Sequence, residues 1–300
     1  MKAATAGVSY EISDVEWTGS ASRLATLNQT PRAPATFISY TPLPSIAGGA
    51  PSGGFTCTGL DKITSGTYAG CWLVGSDGRT TDASPGSFNA EVLIMSPDFR
   101  TILVKFTLGV ALTSVQGVTF NKATGNSFWA ALTNDLTIRH YYLSGVNAGT
   151  EIVADRITWV HGGDGPTGLA YVQGSNALWV SDPASSTVRL LSCVGGGVLT
   201  SFTITLANRD QLHFDETNGL LYFSVGANGA DGYAYVVDIN NTALGAQIAY
   251  GPIKYFQAPE GLYIDRETGI ATFLSDGGFH LIAIPTLNIA IFCKVALLAA

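Results

Sequence analysis

Four residues with oxygen-bearing side chains each stand just before a short apolar stretch: Asp14, Gln116, Asp210 and Glu260. A hard cation such as calcium takes about six to eight oxygen ligands at one point, and these side chains can supply several of them. The other reading is that they are polar residues that satisfy strand ends around a wet central channel. The first reading predicts calcium or another divalent metal as a cofactor, and the second predicts none.

A second set of side chains could carry out acid–base chemistry: His161, Asp164 and, with them, Asp210. His161 and Asp164 lie in the glycine-rich stretch 161–166, and a histidine near a carboxylate can act as a general base. No Gly-x-Ser-x-Gly motif accompanies them, and a turn of this composition is typical of a connection between strands. His140 lies in a predicted strand and lacks the partner spacing of a zinc site. We therefore expect no catalytic residues and keep this set as the alternative.

The elements that must position these residues are copies of one β-hairpin. In residues 165–182, Leu169 and Tyr171, and then Leu178 and Val180, alternate with small or polar residues. The segment between them, 173–176, has the glycine and asparagine composition of a tight turn. The stretch therefore predicts two antiparallel strands joined by that turn.

Equivalent apolar positions recur along the chain at intervals of 43 to 58 residues: Val15, Leu60, Val118, Leu169, Leu212 and Leu262. Periods of about 40 to 50 residues built from short strands are typical of propeller blades rather than helical solenoids. Three hairpin turns, 121–125, 215–219 and 265–269, begin with Asn or Asp and end with Gly, which favours a type I turn ending in a left-handed residue. Six units predict six blades.

Composition agrees with an all-β class, because 35 glycines and 12% charged residues accompany 46% hydrophobic ones. We predict a six-bladed β-propeller of four-stranded antiparallel blades, with residues 13–300 as a single domain and residues 1–12 as an N-terminal strand or arm. The first unit is expected to continue through 35–40. Residues 8–12 are expected to pair beside 289–295 and close the ring, because an unpaired outer strand is prone to misassociation.

Charge and hydropathy exclude several classes of protein. The net charge of −7, with 22 acidic and 15 basic residues, argues against nucleic-acid binding, which needs clustered Lys and Arg. The first ten residues do not have the pattern of a secretory signal. The apolar stretch 281–300 is long enough for a membrane span, but Pro285, Asn288 and Lys294 interrupt it, so we interpret it as two buried strands. Cys57 and Cys71 fall in one hairpin and form either a disulfide or two buried thiols.

The Gly-Leu pair at 168–169 and the Leu-Trp-Val-Ser-Asp run at 178–182 resemble the blades of six-bladed propellers of the NHL-repeat and senescence-marker/gluconolactonase superfamily. Enzymes of that superfamily hold a divalent metal on the propeller axis, so the resemblance implies such a metal here. The ligands are a glutamate from the first blade, asparagines just before the Gly-Leu of middle blades, and an aspartate in the next blade. Asp210 matches that aspartate, whereas Thr167 stands where an asparagine is expected and the glutamate has no clear match.

Two functions from different classes follow. We expect a non-catalytic binding or assembly module, because low charge, abundant small residues and an incomplete catalytic set are similar in style to structural or receptor-binding proteins of tailed-phage virions. Its partner would be a protein in an assembly or a surface glycan, with a homo-oligomer also compatible. The alternative is a metal-dependent lactonase or esterase of the gluconolactonase type, in which an axial calcium or zinc ion polarises the carbonyl and activates water.

Overall fold

The computed structural model describes residues 32–33, 35–44, 57–76, 91–108, 114–204, 209–225, 232–240, 248–253, 259–275 and 289–295. Within these ranges the chain is almost entirely β-strand and turn. It contains no helix there with the length and apolar character needed to cross a membrane.

The strands in chain order are β1 (Arg32–Ala33), β2 (Ala35–Pro42), β3 (Cys57–Lys62), β4 (Trp72–Ser76), β5 (Glu91–Met95), β6 (Ile102–Thr107), β7 (Val115–Phe120), β8 (Ser127–Leu132), β9 (Thr137–Tyr142), β10 (Ile157–Thr158), β11 (Leu169–Val172), β12 (Ala177–Val180), β13 (Thr187–Ser192), β14 (Val198–Thr203), β15 (Arg209–Asp215), β16 (Leu220–Val225), β17 (Gly232–Asp238), β18 (Ile248–Ile253), β19 (Pro259–Asp265), β20 (Ile270–Ser275) and β21 (Ile289–Val295).

These strands form five sheets in the described part of the chain, and each sheet is one blade of a β-propeller. Blade 1 is β3-β4-β5-β6, blade 2 is β7-β8-β9-β10 and blade 3 is β11-β12-β13-β14. Blade 4 is β15-β16-β17-β18, with β1 added in parallel to its outer edge. Blade 5 is β19-β20-β21-β2, so its outer strand comes from the N-terminal part of the chain.

The all-β propeller is confirmed, but the prediction of six blades is wrong. The inner strands of blades 5 and 1 lie directly against each other: a Cβ placed on Gly261 would stand 2.7 Å from the Cβ of Leu60. No sixth inner strand fits between them. The unit predicted around Val15 lies outside the described residues, and the stretch 35–40 that we assigned to it is instead the outer strand of blade 5.

The ring is closed by a strand from the N-terminal part of the chain, although not by the predicted one. Strand β21 pairs with β20 on one edge and with β2 on the other, so both edges of 289–295 are occupied. The predicted pairing of residues 8–12 beside this strand therefore has no free edge, and those residues themselves lie outside the described ranges. Because β1 joins blade 4 and β2 joins blade 5, this segment ties the two blades together.

The hairpin chemistry is confirmed by the backbone. Strands β11 and β12 pair from Leu169 opposite Val180 to Val172 opposite Ala177, as the alternation predicted. The glycines that end the three predicted turns, Gly125, Gly219 and Gly269, all have φ between +65° and +71°. Each turn thus ends in the left-handed conformation that glycine adopts without a Cβ clash.

The hydrophobic core lies between the faces of neighbouring blades. Phe106 of blade 1 stacks on Phe128 of blade 2 with ring centroids 5.7 Å apart, and Trp179 of blade 3 meets Phe214 of blade 4 edge-on at 6.4 Å. Cys57 and Cys71 are both buried and form no disulfide, and they lie towards opposite ends of the β3-β4 hairpin. The disulfide alternative is therefore wrong, and both residues are small buried thiols.

Candidate functional site

The inner strands of the five blades bring one sequence position of each repeat to the same end of the propeller axis. This position directly precedes a residue that is glycine in four of the five blades, and it is occupied by Thr58, Gln116, Thr167, Asp210 and Glu260. The two threonines are satisfied within their surroundings: Thr58 Oγ1 donates to the carbonyl of Val115 at 2.5 Å, and Thr167 Oγ1 donates to that of Ser181 at 3.2 Å. The remaining three side chains are half-buried, and we call the end of the axis that they occupy the axial mouth.

Directly below the axial mouth, the next residue of each inner strand is glycine in four blades: Gly59, Gly117, Gly168 and Gly261. Space explains this choice. A Cβ on Gly117 would come within 1.9 Å of the carbonyl oxygen of Thr167, and a Cβ on Gly168 within 2.3 Å of that of Asp210. The strands approach so closely that side chains are excluded at these four positions.

The fifth blade position at this level is Gln211, whose side chain fills the axis. Gln211 is fully buried, and its Nε2 donates to the carbonyls of Val118 at 2.9 Å, Leu169 at 3.1 Å and Leu60 at 3.5 Å. One amide therefore bonds to the inner strands of three other blades. Its Oε1 is also buried and has no hydrogen-bond donor among the described residues.

The orientation of this amide follows from chemistry. Only the NH₂ group can face three carbonyl oxygens, because an oxygen there would meet acceptors alone. The three carbonyls belong to the residues that directly follow the glycines Gly59, Gly117 and Gly168 in the chain. Oε1 lies at the level of the glycines, 3.0 Å from the position that a Cβ on Gly117 would take. Oε1 therefore lies beside Gly117 in the glycine layer, apart from the three carbonyls that the amide nitrogen contacts.

Asp210 and Glu260, from blades 4 and 5, bring their carboxyl groups into hydrogen-bond contact at the mouth. Burial raises the pKa of Asp210 to about 6, although the hydrogen bond with Glu260 acts to lower it. Asp210 Oδ1 is out of contact with solvent and has no hydrogen-bond partner in the described part of the chain. The structure therefore joins two of the predicted metal ligands, and the next residue of blade 4, Gln211, carries a second unpaired buried oxygen.

The other predicted metal ligands are not joined to this pair. Gln116 stands at the same level, but its Nε2 donates to Ser114 Oγ at 3.1 Å. Asp14 lies outside the described residues. Within those residues no group of three or more His, Cys, Asp or Glu side chains is arranged around a common metal position, so any metal here also needs amide oxygens.

The alternative catalytic residues have separate hydrogen-bond and ring contacts in the described part of the chain. Asp164 is held by its backbone N–H, which donates to Asp182 Oδ1 at 3.3 Å, and the ring of His161 meets that of Trp159 edge-on at 4.9 Å. Burial, followed by the nearby Arg189, lowers the pKa of His161. Among the described residues no hydrogen bond joins His161 to Asp164 or Asp210. The stretch 161–166 is a braced connection between blades 2 and 3.

One arrangement of chemistry-bearing side chains was missed by sequence reasoning. His140 contacts Asp155 Oδ2 through Nδ1 at 2.7 Å and Ser127 Oγ through Nε2 at 2.8 Å, and its ring stacks on Trp129 at 4.1 Å. Burial lowers the pKa of His140 despite the neighbouring Asp155, which acts to raise it. The order Ser-His-Asp is that of a hydrolase triad, but Ser127 is only 1% exposed and its hydroxyl also contacts Thr124 Oγ1 at 2.8 Å. The array is a buried network that fastens β8, β9 and the turn at Val153–Asp155.

Gln211 was also missed, although the sequence carries a signal for it. In the fourth described blade a glutamine stands where the other repeats have glycine, at the position where the strands converge. A departure from glycine at such a crowded position indicates a side chain that occupies the shared space.

Comparisons with known proteins establish the fold and no more. The sequence matches no protein-family profile and no curated protein. The structure is similar to that of glutaminyl cyclase from Myxococcus xanthus, with a TM-score of 0.57 and 11% sequence identity over 88% of this chain and 98% of that chain.

Two further likenesses are weaker. A nidogen/laminin complex gives a TM-score of 0.44 and 15% identity over 63% of this chain and 68% of that chain. Hydrazine synthase from Kuenenia stuttgartiensis gives a TM-score of 0.46 and 9% sequence identity over 83% of this chain and 66% of that chain. Since no family profile matches, the resemblance to the NHL-repeat and gluconolactonase superfamily is one of blade pattern alone.

Proposed function

We propose that this protein is a non-catalytic binding and assembly module, and that its axial mouth binds a divalent cation. The observation that supports the cation site is that two consecutive residues, Asp210 and Gln211, each hold a buried oxygen with no donor among the described residues, and that Glu260 is in hydrogen-bond contact with Asp210. Buried acceptors without partners are rare in folded proteins, and each one needs a donor, an ordered water or an ion.

The chemistry of this oxygen set suits a hard cation such as calcium. Asp210, Gln211 and Glu260 offer carboxylate and amide oxygens, which are the ligands that calcium takes, and water would complete the coordination at the open end of the axis. Gln116 stands at the rim and could turn its amide oxygen towards the ion if it gave up its bond to Ser114. The amide of Gln211 is held in place by three carbonyls.

The assembly role is supported by the outer surface of the blades and by composition. Large aliphatic side chains are exposed on several outer strands and loops: Leu103, Val146, Val153, Val160, Val194, Val198 and Leu199. Exposed apolar side chains and the low charge of the chain are similar in style to virion proteins. We therefore propose more specifically a tail or fibre component that binds a protein or a surface glycan. Of the residues that the sequence offered for catalysis, His161 has no hydrogen bond to Asp164 or Asp210 among the described residues, which favours the non-catalytic proposal.

Thermal unfolding of the purified chain in EDTA, and then with calcium, manganese or zinc restored, tests the cation site. A ligand that binds only the native state stabilises it by about 2.7 kcal/mol at a concentration 100-fold above its Kd, so we expect a rise of several degrees in Tm. Asp210→Asn should abolish the rise. The matched control is Glu267→Gln, which removes the same charge from an exposed turn of blade 5.

Two results would contradict the proposal. No rise with any of the three ions, or an equal rise in Asp210→Asn, would leave the axis as a scaffold that holds water. Metal-dependent turnover of a small lactone that disappears in Asp210→Asn would instead establish the hydrolase alternative.

A further inference from the structure

The outer strand of blade 3, β14, differs from the outer strands of the other blades in how its free edge is protected. Its six residues include no charged residue and no proline, and five of them are exposed: Val198, Leu199, Thr200, Ser201 and Thr203. An uncharged, exposed edge strand is a template for pairing with another chain, and proteins usually block it with charges, prolines or a covering segment.

Each of the other blades has such a block within the described residues. In blade 1, Lys105 of β6 forms an ion pair with Glu91 at 3.0 Å, and in blade 2 the outer strand is only two residues long and is preceded by Arg156. Blade 4 is covered by β1, and the outer strand of blade 5 ends in Pro42. The edge of β14 is therefore exceptional among the described strands.

The backbone of β14 has groups available for pairing. Ile204 N–H donates to the carbonyl of Ser186 at 2.8 Å, which makes 186 and 204 a hydrogen-bonded pair of the antiparallel β13-β14 ladder. Since such pairs alternate, residues 188 and 202 bond within the blade, whereas Ser201 and Thr203 direct their N–H and C=O groups towards the free edge. The edge thus presents two donors and two acceptors in register.

We propose that β14 is a homodimer interface, in which two copies of this chain pair their β14 strands antiparallel around a two-fold axis. An isologous contact requires a surface that is compatible with itself, and an uncharged strand places no like charges opposite each other. This matters because the chain carries a net charge of −7, which opposes contact between two copies through most other surfaces.

Apolar side chains next to the edge add area to this contact. Val194 is 78% exposed at the tip of the β13-β14 hairpin, and Val198 and Leu199 are 47% and 54% exposed at the start of β14. The blade 4 edge shows that this propeller accommodates an extra strand outside a complete four-stranded blade, because β1 already pairs with β18 there. Edge pairing with a few apolar contacts makes a small interface, so we expect a dimer with a dissociation constant in the micromolar range.

Sedimentation velocity on the full chain between about 5 and 500 µM tests the proposal, since this range spans the affinity expected for a small interface. Ser201→Glu is the informative variant. Within the blade residue 201 lies opposite Arg189, which a glutamate can pair with. In the dimer, pairing of residue 201 with residue 203 of the second copy would make the two glutamates diagonal neighbours of like charge. The control is Leu103→Glu, which adds the same charge and removes a larger apolar side chain from the outer strand of blade 1.

The expected result is a concentration-dependent dimer for the wild type and Leu103→Glu, and a weakening of at least tenfold for Ser201→Glu. A wild-type monomer throughout this range, or an undiminished dimer in Ser201→Glu, would overturn the inference. If Ser201→Glu fails to fold by circular dichroism, Leu199→Lys takes its place with the same outcomes. The inference does not depend on the axial cation, so the dimer is measured in EDTA and the two proposals fail separately.

Discussion

Replacing Gln211 by methionine tests whether a single amide holds the centre of the ring. Methionine has nearly the same length and volume, so the substitution removes the hydrogen bonds of Gln211 and leaves no large cavity. The side chain is fully buried, and its two shorter bonds, at 2.9 and 3.1 Å, join it to Val118 in blade 2 and Leu169 in blade 3.

The magnitude follows from these contacts. Two buried carbonyls that lose their amide donor cost about 1 to 2 kcal/mol each, and removing the unpaired Oε1 offsets about 1 kcal/mol of that loss. We therefore expect Gln211→Met to lower the free energy of unfolding by about 1 to 3 kcal/mol, which corresponds to a fall in Tm of roughly 2 to 5 °C for a chain of this length. Gln211→Glu should be worse, because its carboxyl group replaces the donor with an acceptor and must stay protonated to fold.

Urea unfolding in EDTA, followed by intrinsic tryptophan fluorescence, measures this difference. The control is Gln116→Met, an equivalent substitution one level higher on the axis, where the half-buried side chain has a single hydrogen bond among the described residues, to Ser114 Oγ. We expect that variant to lose less than about 1 kcal/mol. If Gln211→Met is as stable as Gln116→Met, then the contacts of Gln211 are incidental and the ring is held by its glycine packing alone.

Three further predictions concern the axis and blade 2. Gly117→Ala should destabilise the fold by more than about 2 kcal/mol, because its Cβ would lie 1.9 Å from the Thr167 carbonyl oxygen. The control is Gly197→Ala, whose Cβ would have no atom within 4 Å. Equal urea midpoints for the two variants would refute the crowding argument. Ser127→Ala should lower the free energy of unfolding by about 1 to 2 kcal/mol, measured by thermal unfolding, and leave any hydrolytic activity unchanged. Loss of activity without loss of stability would instead identify Ser127 as a nucleophile. The pKa of His140 is lowered in the folded state, so its stabilising effect is complete above the unfolded pKa of 6.5 and is lost as pH falls below it. His140→Gln should therefore reduce the change in the free energy of unfolding between pH 7 and pH 5. Parallel curves of unfolding free energy against pH for wild type and variant would show that this histidine does not titrate on unfolding.

The local units of this protein could be predicted from the sequence. The alternation of Leu169 and Tyr171 with small residues specified a strand with its register, and the Asn/Asp-to-Gly spacing of the turns specified where each hairpin reverses. These features depend on residues only a few positions apart, so the chain itself carries the information. The same pattern placed Asp210 and Glu260 at equivalent positions of neighbouring blades, which is why their contact at the mouth was within reach of sequence reasoning.

The number of blades and the centre of the axis were decided by contacts between distant parts of the chain. Whether a sixth unit enters the ring depends on how closely the glycine layer lets β19 approach β3, and which strand completes blade 5 depends on the competition for the edge of β21. Gln211 reaches Leu60 across 151 residues, and no local pattern encodes that contact. The sequence alone determined the repeating hairpin, because its physics is local, and the closed ring with one glutamine at its centre required the packing of all five blades together.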